Sequence, residues 1–415
     1  MKVSQNRLSN HAVSQLQGPN RATALAALRR AVELDPKSQA IRANLSVALT
    51  NFGEYAEASK ILHGLVTEDT GHVAAWHSYG VLGLVSAFPE DAVECFKACM
   101  LLDPSNYMYK FDHAIALMQA GRWEEGWRAY ECRREYKSER SFKDIPRWDG
   151  SHGKDIFVWA EQGIGDTFQF SRYLPLLAKI SKRVTFGVPA QLANLFKPYS
   201  EHADLLVLGT QLPDSIECEV SLMSLPLHLG PSPAEWPADP GLLGSNITAT
   251  VPDSNFRVGL CWACSPSSAN HRERSVNFTD MLQLTRHSNI DFYSLQVGAA
   301  AADIANAQAQ LLVTDLSDKL TDDWCATAAA IKSVDMVVST DTSVAHLAAL
   351  MGKPTIMLIA RRDWWRWGNS GTKTAWYPTM HIIRQARPYS WAAETEQASA
   401  LIGQAARERS ESQAA

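Results

Sequence analysis

Residues 334–355 read VDMVVSTDTSVAHLAALMGKPT, and this stretch decides the fold of the region around it. The run at 334–338 is mostly apolar and β-branched, which is typical of a strand buried on both faces of a parallel sheet. Small polar residues occupy 339–343, and a helical pattern then runs from Val344 until Gly352 ends it. We therefore expect a strand, a polar turn and a helix.

The polar turn is a candidate anion site. Where a strand passes into a helix N-terminus, unbonded backbone amides and the helix dipole both attract negative charge. The five residues of the turn, Ser339 to Ser343, are small and add hydroxyl donors to those amides. The alternative is an ordinary helix cap, in which Asp341 or Ser343 accepts a hydrogen bond from its own backbone.

Strands alternate with helical patterns over the last two thirds of the chain. The predicted strands cover residues 155–160, 184–188, 205–208 and 219–223, and then 257–263, 292–296, 312–314, 334–338 and 355–359. This alternation predicts two parallel, doubly wound sheets in tandem. We expect a proline-rich linker over 226–253 between them, and a C-terminal helix over 391–407 with a disordered polar end.

The first third of the chain carries a period of 34 residues. The positions that repeat are Asp35, Asp69 and Asp103; Ala24, Ala58 and Ala92; Leu28, Leu62, Phe96 and Tyr130; and, two periods apart, Gly53 and Gly121. The pattern resembles the tetratricopeptide repeat, with about three repeats and a leading half over residues 20–136. An unrelated helical bundle would not keep one period at so many positions. Such repeats stack into a superhelix whose concave face binds peptides or protein segments.

The overall composition excludes several classes of protein. A net charge of −5 and a pI near 6.2 give no basic surface for nucleic acid or an anionic membrane. We recognise no secretory signal and no apolar stretch of membrane-spanning length. Seven scattered cysteines fit a reducing compartment. We therefore expect a cytoplasmic protein with no nucleic-acid partner and no membrane span.

A second polar turn follows the first predicted strand. Gly163 and Gly165 let the backbone turn tightly, and this places Asp166 at the strand–helix junction. A carboxylate at that point can take a proton from an attacking hydroxyl. It can equally be the N-cap of the following helix. Phe168 stands where a dinucleotide-binding fingerprint needs its third glycine, so that motif is incomplete.

The second sheet begins with residues of the kind that bind phosphates. Five further candidates for ligand binding lie in or after its first two predicted strands: Trp262, Ser265, Arg272, Arg274 and Gln296. Two arginines beside hydroxyls suit a pyrophosphate, although a charged loop facing solvent has the same composition. The chain has no Asp-x-Asp pair and no His-Glu-x-x-His, so we expect no metal site.

Three motifs, in this order, carry a resemblance to a known family. EQGIGDTFQFSRYLPLL lies at 161–177, GLCWACSP at 259–266 with RERS at 272–275, and STDTSVAHLAALMGKP at 339–354. Together they resemble the bacterial glycosyltransferases of the heptosyltransferase-like GT-B class, in particular those fused to tetratricopeptide repeats that modify flagellins and other proteins. The resemblance implies two Rossmann-like domains after the repeats.

The resemblance also implies a chemistry. The family's catalytic base corresponds to Asp166, and its contacts to the donor phosphates correspond to Thr342, Ser343 and His346. The donor-binding set that we predict is Gly163, Gly165, Trp262, Ser265, Arg272, Arg274, Gln296, Asp341, Thr342, Ser343 and His346. The donor would be a nucleotide sugar, with no metal and no other cofactor. Cys264 departs from the glycine that is usual in the family.

These inferences combine into one domain plan. Helical repeats occupy residues 1–140, an acceptor-side Rossmann-like domain 141–250, and a nucleotide-sugar-side domain with the C-terminal helix 251–415. We expect a metal-independent glycosyltransferase acting on a hydroxyl of a protein or peptide held by the repeats. Two alternatives remain open. One is a lipopolysaccharide-type transferase whose repeats tether it to a partner, and the other is a non-catalytic scaffold.

Overall fold

The computed structural model describes residues 12, 21–136, 142, 144–238, 241–244, 247–250, 255–268, 271–320, 323–361, 365–388 and 390–414. The chain forms two compact units. The first comprises Met1–Glu139 together with Arg361–Asn369, and the second comprises Arg140–Ala360 and Ser370–Ala415. The expected boundary between residues 140 and 141 lies outside the described residues, because 137–141 and 143 are not among them.

The first unit is an array of paired helices. Those of the described residues are α1 (Arg21–Leu34), α2 (Gln39–Phe52), α3 (Tyr55–Glu68), α4 (Val73–Val85), α5 (Pro89–Leu102), α6 (Tyr107–Gln119), α7 (Trp123–Tyr130) and α8 (Arg133–Tyr136). The first helices of the three pairs, α2, α4 and α6, begin 34 residues apart, and so do their partners α3, α5 and α7. The period of the sequence is therefore the period of the structure, and α1 is the leading half-repeat.

The repeated positions form the core of this array. The buried ones are Ala24, Ala58 and Ala92 at one position of the period and Leu28, Leu62, Phe96 and Tyr130 at another. Gly53 closes α2 with φ at 81°, and its N–H donates to the carbonyls of Leu49 and Thr50. Gly121 has the same left-handed conformation after α6, with φ at 78°. Apolar positions, with left-handed glycines in two of the three pairs, thus fix the helix pairs locally.

A segment far along the chain belongs to the first unit. Trp365, in the stretch Arg361–Asn369, is buried with its ring centroid 5.2 Å from Trp127 and 6.4 Å from Tyr130. The side chain of Asn369 accepts a hydrogen bond of 2.7 Å from Gln119. The expected plan places this stretch in the C-terminal domain, whereas aromatic packing joins it to the last helix pair.

The second unit contains two parallel sheets. The strands of the first are β1 (Asp155–Trp159), β2 (Arg183–Val188), β3 (Asp204–Val207) and β4 (Cys218–Ser221), in the order β3-β2-β1-β4. The strands of the second are β5 (Phe256–Cys261), β6 (Ile290–Ser294), β7 (Val313–Asp315), β8 (Met336–Thr340), β9 (Thr355–Ile359) and β10 (Met380–Arg384), in the order β10-β9-β8-β5-β6-β7. Every pairing within them is parallel. This arrangement confirms the expectation of two parallel sheets.

Helices connect these strands. Those of the described residues are α9 (Ile164–Phe170), α10 (Leu174–Ile180), α11 (Leu225–Leu229), α12 (His271–Arg274), α13 (Phe278–Met281), α14 (Asp303–Asn306), α15 (Trp324–Ser333), α16 (Ser343–Leu350) and α17 (Ala392–Ala414). Short 3-10 turns cover Ser171–Tyr173, Ala190–Leu192, Lys197–Glu201, Leu222–Ser224, Leu282–Arg286, Ala299–Ala302, Ser317–Lys319 and Trp365–Trp367. The core of the second sheet is built from side chains such as Val258, Leu260, Val338 and Leu358.

Three expectations about these elements are wrong in detail. β10 was not anticipated, because it is a short edge strand that carries His381 and Arg384 among its apolar residues. β8 extends two residues beyond the predicted strand end. Ser339 fits inside the sheet because its hydroxyl donates a hydrogen bond to the carbonyl of Thr340. The polar end of the chain is helical to Ala414, where Arg409 pairs with the carboxylate of Asp335.

Candidate functional site

The turn after β1 presents Asp166 at the start of α9. Gly163 is the N-cap with φ at −90° and ψ at 167°, and Asp166 is the third residue of the helix. Its carboxylate Oδ2 accepts a hydrogen bond of 2.9 Å from the backbone N–H of Gly163. The expectation that Asp166 itself is the N-cap is therefore wrong, although its carboxylate does bind the first backbone amide of the turn. This bond fixes the orientation of the carboxylate at the end of the strand.

The same turn contains a residue in an uncommon conformation. Gln162 has φ at 60°, a left-handed value that non-glycine residues adopt at a cost of about 1–3 kcal/mol. Beside it Glu161 is buried and accepts a hydrogen bond from the hydroxyl of Ser221 at the end of β4. Strain of this kind is common at functional sites, where the surrounding structure holds it in place.

The turn between β8 and α16 is shorter than the sequence indicates. Ser339 and Thr340 end the strand, and Thr342 is the N-cap of α16. The Oγ1 of Thr342 lies 2.8 Å from the Oγ of Ser339 and makes no capping bond to the helix. Neither Asp341 nor Ser343 occupies the N-cap position.

Arg274 holds this turn in place. Its Nη2 lies 2.7 Å from the Oδ2 of Asp341 and donates a second bond, of 2.6 Å, to the carbonyl oxygen of the same residue. The side chain of Asp341 is almost fully buried, whereas that of Arg274 is about a quarter exposed. A charge-assisted contact to a buried carboxylate is stronger than one between exposed groups. The guanidinium therefore compensates the charge of Asp341 and leaves part of its surface open to solvent.

His346 lies one turn into α16 and is buried. Its Nδ1 lies 2.7 Å from the hydroxyl of Tyr377, and its Nε2 lies 3.5 Å from the Oδ1 of Asp341. The imidazole thus stands between a phenol and a carboxylate, and both of its nitrogens face polar atoms.

The two turns come together. Helix α9, which follows the first sheet, packs against α16 of the second sheet. Gly165 is part of this contact, since a Cβ built there would stand 2.9 Å from the Cδ2 of His346. Asp166 and the β8–α16 turn therefore lie on neighbouring elements, each at the carboxyl end of a parallel strand. Ligands of open α/β sheets bind at that end of the strands.

The other predicted residues support the structure or lie away from the β8–α16 turn. Gln296 accepts bonds from the backbone N–H groups of Trp262 and Ala263, at 3.1 and 2.8 Å, and so supports the end of β5. The indole of Trp262 is buried and donates to the Oδ2 of Asp303 at 3.0 Å. Ser265 is exposed and bonds Ser267. The exposed Arg272 has no described contact that brings it to the turn, so of the two arginines only Arg274 is placed there.

The two cysteines of the second motif are protonated. Burial raises the pKa of the Cys261 thiol to about 11 and that of the Cys264 thiol to about 12. The Sγ of Cys264 lies 3.5 Å from the carbonyl oxygen of Asp341, so this thiol supports the turn as a weak donor. The described side chains include no group of three His, Cys, Asp or Glu residues placed to hold a metal ion.

Two residues of the site were not among the predicted ones. Tyr377 bonds His346, and Arg172 donates to the carbonyl of Trp376 at 2.8 Å. Arg172 is buried within the mostly apolar run 168–177, and a charged residue in such a run is the sequence signal that points to it. Tyr377 follows a tryptophan in an aromatic segment, a pattern that by itself favours a core position.

Known proteins are similar to the helical repeats and to the region of the two sheets. The tetratricopeptide-repeat family matches residues 20–79. The N-terminal helices are tetratricopeptide repeats. Protein FlbA of Caulobacter vibrioides is 25% identical over 429 aligned positions, which cover 90% of this chain and 69% of FlbA. The similarity to FlbA therefore extends from the repeats into the two sheets.

Solved structures are similar to about a third of the chain. A structure of MamA (AMB-1) is 17% identical over 33% of this chain and 75% of that chain, with a TM-score of 0.28. A tetratricopeptide repeat protein from Parabacteroides merdae is 20% identical over 32% of this chain and 52% of that chain, with a TM-score of 0.29.

Among the helices of the described chain, none has the length and apolar character needed to cross a lipid bilayer.

Proposed function

We propose that this chain is a metal-independent glycosyltransferase of the GT-B type, which moves a sugar from a nucleotide-sugar donor to a hydroxyl group. The observation that supports the proposal is the contact of Gly165 with His346, which brings α9, the helix of Asp166, against α16. A base and an anion site on neighbouring elements are what a glycosyl transfer needs. The resemblance of the three motifs to repeat-fused glycosyltransferases supports the same assignment.

In this reaction Asp166 acts as the general base. The acceptor hydroxyl gives its proton to the carboxylate while its oxygen attacks the anomeric carbon of the donor. The bond between that carbon and the diphosphate oxygen breaks, and the nucleoside diphosphate leaves with the electron pair. The bond from the Gly163 amide holds the Asp166 carboxylate in position throughout.

The leaving diphosphate is assigned to the N-terminus of α16. Backbone amides at residues 342–344, the hydroxyls of Thr342 and Ser343, and the exposed part of the Arg274 guanidinium supply donors and positive charge there. Preorganised donors of this kind stabilise charge that develops in the transition state. They do the work for which other transferases use a metal ion.

The acceptor is assigned to a protein or peptide segment. Tetratricopeptide repeats commonly bind such segments, and binding energy gained away from the reacting hydroxyl can position it. A lipopolysaccharide-type acceptor is the alternative, with the repeats serving as a tether. Incubation of a cell extract with the enzyme and a radiolabelled nucleotide sugar separates the two, because the label appears either in the protein fraction or in the lipid-linked fraction.

The function itself is tested with a panel of nucleotides and nucleotide sugars. A ligand that binds only the folded state raises the melting temperature, so we expect a shift with one nucleoside diphosphate and its sugar. Donor turnover should persist in excess EDTA. Absence of binding to every nucleotide in the panel would overturn the proposal. Loss of turnover in EDTA with recovery on adding manganese would overturn its metal-independent form.

A further inference from the structure

Tyr377 is bonded to the histidine of the candidate site. Its ring is buried, and its hydroxyl lies 2.7 Å from the Nδ1 of His346. The two rings meet nearly edge to face, with centroids 5.6 Å apart and an interplanar angle of 75°. Tyr377 lies 31 positions after His346 in the sequence, between β9 and β10, so this contact depends on tertiary structure.

The neighbours of His346 determine which of its ring nitrogens carries the proton. Nε2 faces the carboxylate oxygen of Asp341 at 3.5 Å, and an ionised carboxylate only accepts hydrogen bonds. A lone pair on Nε2 would face another lone pair, so Nε2 carries the proton. In the neutral ring Nδ1 is then the acceptor, and the hydroxyl of Tyr377 is the donor. A phenol that donates to Nδ1 matches the tautomer that points an N–H at Asp341.

Arg172 fixes the phenol from the side of the first sheet. Its guanidinium carbon lies 5.1 Å from the centroid of the Tyr377 ring and 5.5 Å from that of Trp376. Its Nη1 donates to the carbonyl of Trp376 at 2.8 Å, and its Nε donates to the carbonyl of Gln169 at 2.9 Å. The guanidinium lies over the Tyr377 ring, and its two hydrogen bonds join the Trp376–Tyr377 segment to the helix that carries Asp166.

We propose that Tyr377 is a positioning residue for the proposed glycosyl transfer and that it acts through His346. By donating to Nδ1 it orients the imidazole, whose Nε2–H faces Asp341 and whose ring edge contacts Gly165 beside the base. Arg172 links this tyrosine to the helix that carries Asp166. One chain of contacts therefore joins the base and the diphosphate turn, and it runs through Tyr377. The inference rests on the proposed function.

The first test compares two tyrosines. Tyr377→Phe removes one hydroxyl and keeps the ring, and we expect kcat/KM for the nucleotide sugar to fall about 10-fold. Tyr173→Phe is the matched control, since Tyr173 is also fully buried and donates one bond, of 3.1 Å, to the carbonyl of Gly230. Both variants lose one buried hydrogen bond of comparable type. Equal kcat/KM values for the two variants would overturn the inference while leaving the proposed function standing.

The second test asks whether the effect passes through His346. In a His346→Gln background, Tyr377→Phe should cause no further loss, because the group on which the hydroxyl acts is gone. A full additional 10-fold loss in that background would assign Tyr377 a role in packing and overturn the inference.

The third test does not depend on activity. In protein labelled with ring-¹⁵N histidine, the signals of His346 are identified by their absence from His346→Gln. We expect an unprotonated Nδ1 that accepts a hydrogen bond in the wild type and a shifted Nδ1 resonance in Tyr377→Phe but not in Tyr173→Phe. A protonated Nδ1 with an unprotonated Nε2 in the wild type would overturn the assignment. If the protein gives the expected resonances but binds no nucleotide, the proposed function is wrong while the proton assignment of His346 stands.

Discussion

Gly165 lies directly against the imidazole of His346, and a Cβ at Gly165 would stand 2.9 Å from the Cδ2 atom. Contacts below 3.0 Å are not tolerated by real Cβ atoms, so any larger residue must displace the histidine or the helix. The glycine of the first motif is therefore needed less for its own backbone conformation than for the close approach of the third motif. This contact is what brings the candidate base and the candidate anion site together.

Gly165→Ala tests this contact. Forcing the Cβ into the imidazole should shift α9 away from α16 at a cost of about 1–3 kcal/mol. We expect nucleotide affinity and turnover both to fall about 10-fold, as measured by calorimetry and by donor consumption. Gly64→Ala is the control, because Gly64 lies within α3 with no atom within 4 Å of the added Cβ. Unchanged affinity in folded Gly165→Ala would contradict the proposed role of the contact.

Asp166→Asn tests the general base. The amide oxygen of asparagine can still accept the bond from Gly163, so the turn should keep its shape, while the side chain can no longer take a proton. We expect turnover to fall by about two to four orders of magnitude with nucleotide affinity nearly unchanged. The matched control is Asp149→Asn, since Asp149 also accepts a backbone bond, of 3.0 Å, from Ser151. Turnover of Asp166→Asn within a few-fold of wild type would remove Asp166 from the mechanism.

Arg274→Ala and Arg272→Ala form a pair that tests the diphosphate site. Arg274 pairs with the buried carboxylate of Asp341, whereas Arg272 is exposed. Removing Arg274 leaves the charge of Asp341 uncompensated next to the incoming phosphates, so nucleoside diphosphate affinity should fall about 10- to 100-fold. Arg272→Ala should change it by less than about 2-fold. Equal losses of affinity in the two variants, measured by calorimetry, would show that the segment carrying both arginines acts only through its net charge.

The sequence predicts most of this architecture because most of it is periodic. The 34-residue period sets the helix starts, and apolar runs between polar turns set nine of the ten strands that the described residues form. Contacts that join distant segments leave no such pattern. Nothing local indicates that Trp365 packs on Trp127, that the hydroxyl of Tyr377 bonds His346, or that Arg274 rather than Arg272 holds Asp341. Each of these depends on how segments pack after the elements have formed.

The turn after α4 departs from the other two repeats. Ala87 has φ at 65°, at the position that Gly53 and Gly121 occupy one repeat earlier and one repeat later. Glycine adopts this left-handed conformation without steric cost, whereas an alanine there is strained by about 1–2 kcal/mol. Part of any gain from glycine is offset, because glycine loses more conformational freedom on folding.

Ala87→Gly should therefore stabilise the repeats. The side chain of Ala87 is exposed, so its removal leaves no cavity, and we expect the free energy of unfolding to rise by about 0.5–1 kcal/mol. Denaturant titration followed by circular dichroism at a helical wavelength measures the change. Gly121→Ala provides the reverse control, since its added Cβ would meet only the Trp123 Nε1 atom, at 4.0 Å, and φ is 78°. That variant should lose about 1 kcal/mol through backbone strain alone. If Ala87→Gly were destabilising while Gly121→Ala behaved as expected, the turn after α4 would owe its conformation to contacts of the alanine methyl group.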